Sequence, residues 1–385
     1  MKSLQLILTN RKYFSVVWIF ASLNICIGTW VLYIPYVKQT LALTDAQIGF
    51  ALFCIAFGII TFLSIVPYLS KLFGLGRLVF FGIVFFSFSF LFPLFMPTYI
   101  TLCISLFIVG VFSGITDIAM NALISELEIK DNVTIMSAAH GFFSLGGFVG
   151  AALGSLLMPF FTHPFYHMLS VFVVVVLVNL WFRKHYFLIS EEQKTKGKNV
   201  FTLKHLQPLL PIAFVAFVIM SSEGAIEHWS SLYFIEIVKI ENQYLAGVGF
   251  IMFSVMMTFG RFFGDGISAK IGSLKIILLG CTMAILGYIL VLSSQFYVTI
   301  LGFSTLGLGL SVVIPEVFRI AGKIKGVKAS VGMSVVSGIG MLGFLIGPVF
   351  LGYISNSFNL KISFFVLLLL TFFAVLLTSF KLKAK

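Results

Sequence analysis

Twelve apolar stretches run along the chain, and short connections rich in polar residues or glycine separate them. A helix of about 20 apolar residues spans the hydrocarbon core of a bilayer, which is roughly 30 Å thick. The pattern therefore predicts twelve membrane-spanning helices. We place them at 13–37, 46–70, 75–95, 98–125, 134–158, 164–183, 208–236, 244–269, 273–293, 296–321, 328–355 and 360–380.

The positive charges fall on one side of this predicted arrangement. Of the 25 lysines and arginines, all but Lys38, Lys239 and Lys361 lie in the terminal segments, in connections of the same parity, or near the span ends that adjoin them. Cytoplasmic connections of membrane proteins are enriched in Lys and Arg. We therefore expect both termini to be cytoplasmic, since removing one helix from the assignment would mix the two classes of connection.

The composition excludes a water-soluble fold, because 60% of residues are hydrophobic, 10% are charged and the mean hydropathy is +1.11. The net charge of +12 requires no nucleic acid. These cations are predicted to lie near anionic lipid of the inner leaflet, so membrane lipid is the expected partner. The four cysteines are scattered over separate predicted helices without metal-ligand spacing, and we expect no disulfide, no metal site and no cofactor.

The longest polar stretch divides the chain into two halves. We predict an N-terminal six-helix bundle at 1–183, a cytoplasmic linker at 184–207 and a C-terminal six-helix bundle at 208–385. Similar residues recur between the halves at an offset near 200, which indicates a duplication. The recurring pairs are Gly74 with Gly272, Gly82 with Gly280, Gly146 with Gly343, Gly150 with Gly347, and Trp30 with Trp229.

Glycines give the fifth and eleventh predicted helices a smooth face, which permits close approach of a neighbouring helix. They include Gly146 and Gly150 in one half and Gly343 and Gly347 in the other. We interpret these faces as surfaces on which the two halves rock. Static packing is the alternative, and both interpretations require close helix contact.

Short motifs of distinctive composition lie along both predicted halves. They are Gly28-Thr29-Trp30, Asp45-Ala46-Gln47-Ile48-Gly49, Thr116-Asp117-Ile118-Ala119-Met120-Asn121, His140-Gly141-Phe142-Phe143-Ser144, Glu223-Gly224-Ala225, Trp229-Ser230 and Gly260-Arg261 with Gly264-Asp265. Together they resemble the YbjJ-type inner membrane proteins of the major facilitator superfamily, which are related to the fucose-permease-like transporters. The resemblance implies an all-α integral membrane fold of two pseudo-symmetric six-helix bundles and secondary transport across the bacterial inner membrane. The sequence departs from that subfamily at His228, where Asp is usual, and from the superfamily's loop signature at Lys71.

Ionisable residues inside predicted spans are functional candidates, because charge in a bilayer costs at least about 2.5–3.5 kcal/mol. Glu223 and Glu227 lie one turn apart in the seventh span, next to His228. Two carboxylates so close would repel, and one is therefore expected to hold a proton. We expect Glu223 to carry the coupling proton, with Glu227 and His228 tuning it. The alternative is a helix–helix hydrogen bond without turnover.

Other ionisable pairs are predicted nearer the cytoplasmic ends. Asp117 and His140 lie in adjacent spans and could form a second titrating pair, although a structural bridge is the favoured interpretation. Gating or docking pairs are predicted at two further places, and a structural role is the favoured interpretation there as well. These pairs are Arg261 with Asp265, and Glu316 with Arg319.

The solute is expected to meet aromatic and hydrogen-bonding side chains. Packing or anchoring at the membrane interface is the equal alternative for each aromatic residue. No Lys or Arg is expected in the middle of a span, which argues against strongly anionic solutes. The aromatic candidates are Trp30, Tyr33, Trp229 and Tyr233, and the polar candidates are Asn24, Asn121, Ser144 and Ser230.

The leading functional hypothesis is a monomeric, proton-coupled symporter of a small neutral polar solute such as a sugar, working by alternating access. A proton-antiporting exporter of an amphipathic or cationic compound is the alternative. Sodium in place of the proton also stays open, as does a receptor with a transporter fold. An enzyme is disfavoured, because the sequence contains no nucleophile elbow, metal-ligand cluster or phosphate loop.

Overall fold

A computed structural model describes residues 2–63, 65–133, 135–190, 209–324 and 329–383. These residues form sixteen α-helices, and twelve helical stretches among them are long and apolar enough to cross a membrane. The predicted all-α membrane fold is thereby confirmed. The chain divides into two compact units, Met1–Lys194 and Thr195–Lys385, and each unit contains six of these stretches.

The first unit begins with a short helix that the hydropathy pattern did not predict. Its helices are α1 (Lys2–Thr9), α2 (Arg11–Val31), α3 (Ile34–Thr40), α4 (Asp45–Leu63), α5 (Val66–Phe73), α6 (Leu75–Ser89), α7 (Tyr99–Asp131), α8 (Met136–Leu157) and α9 (Pro164–Phe182). Side-chain caps explain where two of these helices begin. Asn10 caps α2, and Thr98 forms a capping box at the start of α7.

The second unit contains seven helices among its described residues. They are α10 (Leu210–Glu236), α11 (Val248–Ile271), α12 (Ser273–Leu292), α13 (Phe296–Ser311), α14 (Val313–Ala321), α15 (Ala329–Ser357) and α16 (Leu360–Lys383). Within this unit α10 packs against α11, α13, α14, α15 and α16.

Three regions predicted as single helices consist of two shorter helices each. The breaks separate α2 from α3, α4 from α5, and α13 from α14. In each case the second helix has a proline among its first three residues: Pro35, Pro67 and Pro315. Proline has no amide hydrogen and clashes with the carbonyl of the preceding turn, so it is tolerated best in the first turn of a helix. Pro348 lies inside α15, where a membrane helix can also accept a proline.

Glycines bring α8 and α15 to backbone contact with α2 and α10. A methyl group added at Gly146 would lie 2.2 Å from the carbonyl oxygen of Ala21. One added at Gly343 would lie 2.2 Å from the carbonyl oxygen of Phe217. The predicted close helix contact is confirmed. Because each contact joins two helices of the same unit, these glycines pack the interior of each bundle, and the interpretation of them as surfaces between the halves is corrected.

Two glycines make the same sharp turn at equivalent places in the two units. Gly74 joins α5 to α6 with φ +81° and ψ 149°, and Gly272 joins α11 to α12 with φ +86° and ψ 152°. This region of backbone conformation is essentially restricted to glycine. Gly74 and Gly272 are 198 residues apart, which is the offset that pairs them in the sequence. Their matching backbone angles agree with the predicted duplication.

The first residues of the predicted linker pack on the first unit. The amide of Gly76 donates to the carbonyl oxygen of Ile189 at 2.8 Å. A methyl group added at Gly76 would lie 1.9 Å from the carbonyl oxygen of Tyr186. Residues 184–190 are therefore seated on the start of α6. The remainder of the predicted linker, 191–207, lies outside the described residues.

Candidate functional site

Two glutamates near the midpoint of α10 form the centre of the candidate site. Glu223 and Glu227 are separated by four residues and therefore share one face of the helix. Their side chains are only 19% and 13% exposed. A negative charge on either residue is thus largely removed from water and needs a compensating partner.

Arg261 is the partner of Glu223. It lies about midway along α11, and its Nη2 atom is 3.4 Å from Oε2 of Glu223. Helix α11 continues to Ile271, whereas the stretch apolar enough to cross a membrane ends at Phe263. Arg261 therefore lies near the end of that stretch, where the sequence predicts it. The expectation that the middle of every span lacks Lys and Arg stays a prediction.

Further polar atoms of this cluster are buried without a hydrogen-bond partner in the described part of the chain. Nε2 of His228 is 3.9 Å from Oε1 of Glu227, a distance too long for a hydrogen bond. The unpartnered atoms are Nδ1 of His228, Oε1 of Glu223 and the hydroxyl oxygens of Ser230 and Ser231. Buried polar groups are nearly always paired, so such an accumulation needs a functional explanation.

A second charged cluster links α11 to α14. Nη1 of Arg319 lies 2.8 Å from Oε1 of Glu316, whose side chain is 2% exposed. Ser268 donates to Glu316 and accepts a hydrogen bond of 2.9 Å from Arg319. The structure thus pairs Glu316 with Arg319, while their gating role stays a prediction. The side chain of Asp265, predicted to pair with Arg261, lies outside the described residues.

Asp117 of the first unit has an amide partner on its own helix. Nδ2 of Asn121 donates to Oδ1 of Asp117 at 3.2 Å and to its backbone carbonyl oxygen at 2.8 Å. On α8, the ring of His140 contacts the ring of Phe20 with centroids 5.4 Å apart. The coupling role of Asp117 with His140 stays a prediction.

Two of the predicted polar solute ligands are buried near the contact between α2 and α8. Nδ2 of Asn24 donates to the carbonyl oxygen of Phe143 at 2.9 Å, and its Oδ1 atom is unpartnered among the described residues. The hydroxyl of Ser144 donates to the carbonyl oxygen of His140 at 3.4 Å. Asn24 therefore has one free acceptor, and the solute-binding role of both residues stays a prediction.

The predicted aromatic ligands of the first unit pack inside it. Trp30 is 2% exposed, and its ring centroid lies 6.0 Å from that of Phe90. The hydroxyl of Tyr33 is 2.7 Å from Nδ1 of His167, and both residues are buried. In this structure the two aromatic residues serve packing and hydrogen bonding within the first unit, and their stacking on a solute stays a prediction.

Their counterparts in the second unit donate hydrogen bonds to backbone carbonyl oxygens. Nε1 of Trp229 donates to the carbonyl oxygen of Pro348 at 3.2 Å. The hydroxyl of Tyr233 donates to the carbonyl oxygen of Val291 at 2.9 Å, and its ring lies 4.9 Å from that of Phe364. Both side chains are fully buried, which links α10 to α15, α12 and α16. A role of Trp229 and Tyr233 in solute binding is likewise untested.

Twelve spans in two six-span units, with ionisable groups buried among them, define a polytopic membrane transport fold. The model of the Major Facilitator Superfamily matches residues 15–326, and the chain belongs to that superfamily. It is therefore a multi-pass membrane transporter, and its cargo is a small-molecule solute.

Named relatives resemble the chain along most of its length. An uncharacterized MFS-type transporter of Yersinia pestis is 29% identical over 347 residues, which are 89% of this chain and 89% of the relative. Membrane protein MosC of Rhizobium meliloti is 27% identical over 340 residues, or 88% of this chain and 82% of the relative.

Solved transporter structures share the fold. A mutant of the nucleoside transporter NupG gives a TM-score of 0.74 at 10% identity, covering 96% of this chain and 99% of the other. A bacterial homologue of the human lysosomal transporter Spinster, in an inward-facing and unoccupied conformation, gives 0.71 at 14% identity and covers 96% of each chain. At such low identity, the likeness concerns the fold alone.

Proposed function

We propose that the protein is a proton-coupled symporter that moves a small neutral polar solute by alternating access. The observation that supports this function is the cluster on α10 and α11, in which two buried carboxyl groups lie one turn apart and one of them, Glu223, is paired with Arg261. One guanidinium balances one carboxylate. The other carboxyl group can therefore bind a proton on one side of the membrane and release it on the other.

The charge balance favours a neutral solute over an anion. Arg261 is already paired with Glu223, so the cluster supplies no unbalanced positive charge that would hold an anionic group. The hydroxyl groups of Ser230 and Ser231 are unpartnered among the described residues and can bond a hydroxyl-rich solute. Sugars and related metabolites carry such groups, which agrees with the resemblance to fucose-permease-like transporters.

One observation supports a proton-antiporting exporter as the second candidate. Glu227 has no hydrogen-bonded or ion-paired Lys or Arg among the described residues. A buried carboxylate without a cation can exchange its proton for an organic ammonium group, since either neutralises the charge. Such an exporter would take a cationic or amphipathic compound.

Transport assays in proteoliposomes test the proposal. A thermal-shift screen against neutral metabolites and organic cations first supplies a binding compound. A symporter should then accumulate that compound when the outside is acidic, whereas an antiporter should expel it from loaded vesicles under the same gradient. Accumulation driven by a sodium gradient, or no response to any ion gradient, would refute proton coupling.

Variants of the acid pair add a specific test. The double variant Glu223→Gln/Glu227→Gln should lose concentrative uptake and retain downhill exchange of the compound. Glu241→Gln is the matched control, because Glu241 is an exposed acid in the connection after α10. Concentrative uptake by the double variant at the level of this control would contradict the coupling role of the cluster.

The location follows from the charge pattern. We place the protein in the bacterial cytoplasmic membrane as a monomer, with both termini in the cytoplasm, because most Lys and Arg residues then face the cytoplasm. Reporter fusions after residues 200 and 240 test the orientation. The first should report a cytoplasmic position and the second a periplasmic one, and the reverse result would refute the placement.

A further inference from the structure

We infer that Glu227, rather than Glu223, holds the coupling proton, and that Arg261 is the positioning residue that keeps Glu223 ionised. This inference rests on the proton coupling proposed above and assigns it to one carboxyl group. It differs from the interpretation of the sequence, which gives the proton to Glu223.

The ion pair favours the ionised form of Glu223. Nη2 of Arg261 is 3.4 Å from Oε2 of Glu223, and the two side chains are 17% and 19% exposed. A guanidinium stays protonated in proteins. With little water to screen the pair, the cation favours the carboxylate form of its neighbour, and removing the negative charge would leave Arg261 buried without it.

Glu227 lies in the opposite electrostatic environment. Its closest ionisable partner in the described structure is His228, at 3.9 Å. An ionised Glu223 one turn away repels a second negative charge on the same helix face. Burial disfavours the carboxylate further, because its side chain is only 13% exposed. A proton on Glu227 removes both penalties.

The neighbouring helices do not alter this balance in the described part of the second unit. From α11, Arg261 faces Glu223. On α14, Glu316 and Arg319 are engaged with each other. From α15, the phenyl ring of Phe344 lies beside the ring of His228 with centroids 6.4 Å apart.

The remaining helices packed on α10 contribute no other charged group to the acid pair among the described contacts. Helix α13 contains no Asp, Glu, Lys or Arg, and the lysines of α16 (Lys361, Lys381 and Lys383) lie near the two ends of that helix, away from its midpoint. Glu223, Glu227 and Arg261 together therefore carry one net negative charge when both acids are ionised. Uptake of one proton neutralises these three side chains, which predicts one proton per transport cycle.

Infrared difference spectroscopy tests the assignment without a transported solute. The purified full-length protein is stepped between acidic and alkaline buffer, and the C=O stretching band of buried protonated carboxyl groups is recorded. Glu227→Gln should abolish this band, whereas Glu223→Gln should retain it. Arg261→Gln should strengthen the band about twofold, since neither carboxylate then has its cation. Loss of the band in Glu223→Gln but not in Glu227→Gln would overturn the inference, as would a band unchanged in both.

Thermal unfolding supplies a second measurement on the same variants. Glu227→Gln replaces a protonated carboxyl group by a neutral group of similar shape and should leave the midpoint unchanged. Glu223→Gln deprives Arg261 of its counterion and should lower the midpoint. Equal midpoints for the two variants would contradict the assignment. Loss of the carboxyl band only in Glu227→Gln, together with proteoliposomes that show no proton-coupled uptake, would support Glu227 as the protonation site and refute the proposed function.

Discussion

The packing of α15 on α10 yields a prediction whose magnitude follows from the structure. A methyl group placed at Gly343 would lie 2.2 Å from the carbonyl oxygen of Phe217 and 2.8 Å from the hydroxyl oxygen of Ser221. Ordinary contacts are about 3.5 Å, so the two helices would have to separate by about 1 Å. Gly343→Ala should therefore loosen the second unit.

Gly338 of the same helix provides the matched control. A methyl group added there meets no atom within 4 Å among the described residues. Both substitutions gain about 1 kcal/mol from the higher helix propensity of Ala. Only Gly343→Ala incurs the cost of overpacking, typically about 1–3 kcal/mol. The difference between the two variants should thus be about 1–3 kcal/mol.

The measurement is thermal unfolding of the two purified variants in the same detergent, followed by intrinsic fluorescence. For a unit of this size, 1 kcal/mol shifts the midpoint by roughly 2–4 °C, so Gly343→Ala should unfold several degrees below Gly338→Ala. A Gly343→Ala protein as stable as the Gly338→Ala protein would refute the close backbone contact between α10 and α15.

Three further predictions concern single contacts. Tyr233→Phe should cost about 1 kcal/mol of unfolding free energy, because one buried hydrogen bond is lost, and chemical denaturation would show it. Arg261→Gln should cost up to about 3–5 kcal/mol in alkaline buffer, where Glu223 stays ionised without its cation, and the double variant Arg261→Gln/Glu223→Gln should recover part of that loss; a cycle without recovery would contradict the ion pair. Gly76→Ala should displace the segment around Tyr186 from α6, and limited proteolysis should then cut it faster than in the parent; equal rates would contradict the docking.

Hydropathy predicted the spans because the bilayer requires long apolar helices. The predicted span at 273–293 and the observed α12 (Ser273–Leu292) agree within one residue. The breaks at Pro35, Pro67 and Pro315 were missed, since hydropathy averages over a window longer than one turn. The short α1 was missed because eight residues are too few to give a spanning signal.

The candidate site was predicted only in part. Glu223 and Glu227 stood out because ionisable residues are rare in apolar helices. Arg261 was predicted to pair with Asp265 on its own helix, and no pattern in the sequence indicates its contact with Glu223 on another helix. The orientation of Trp229 and Tyr233 could not be predicted, because polar and apolar residues are spread around all sides of α10 and give no face preference.

The matching glycine turns at Gly74 and Gly272 bear on how the two halves can diverge. Each turn is specified by its backbone conformation, since an L-residue other than glycine cannot adopt that conformation without strain. A shared position that is defined by packing can change when its neighbours repack around it. Changes in neighbouring residues cannot restore this turn once the glycine is replaced. The two turns should therefore remain alike in the two halves after the side chains around them have diverged.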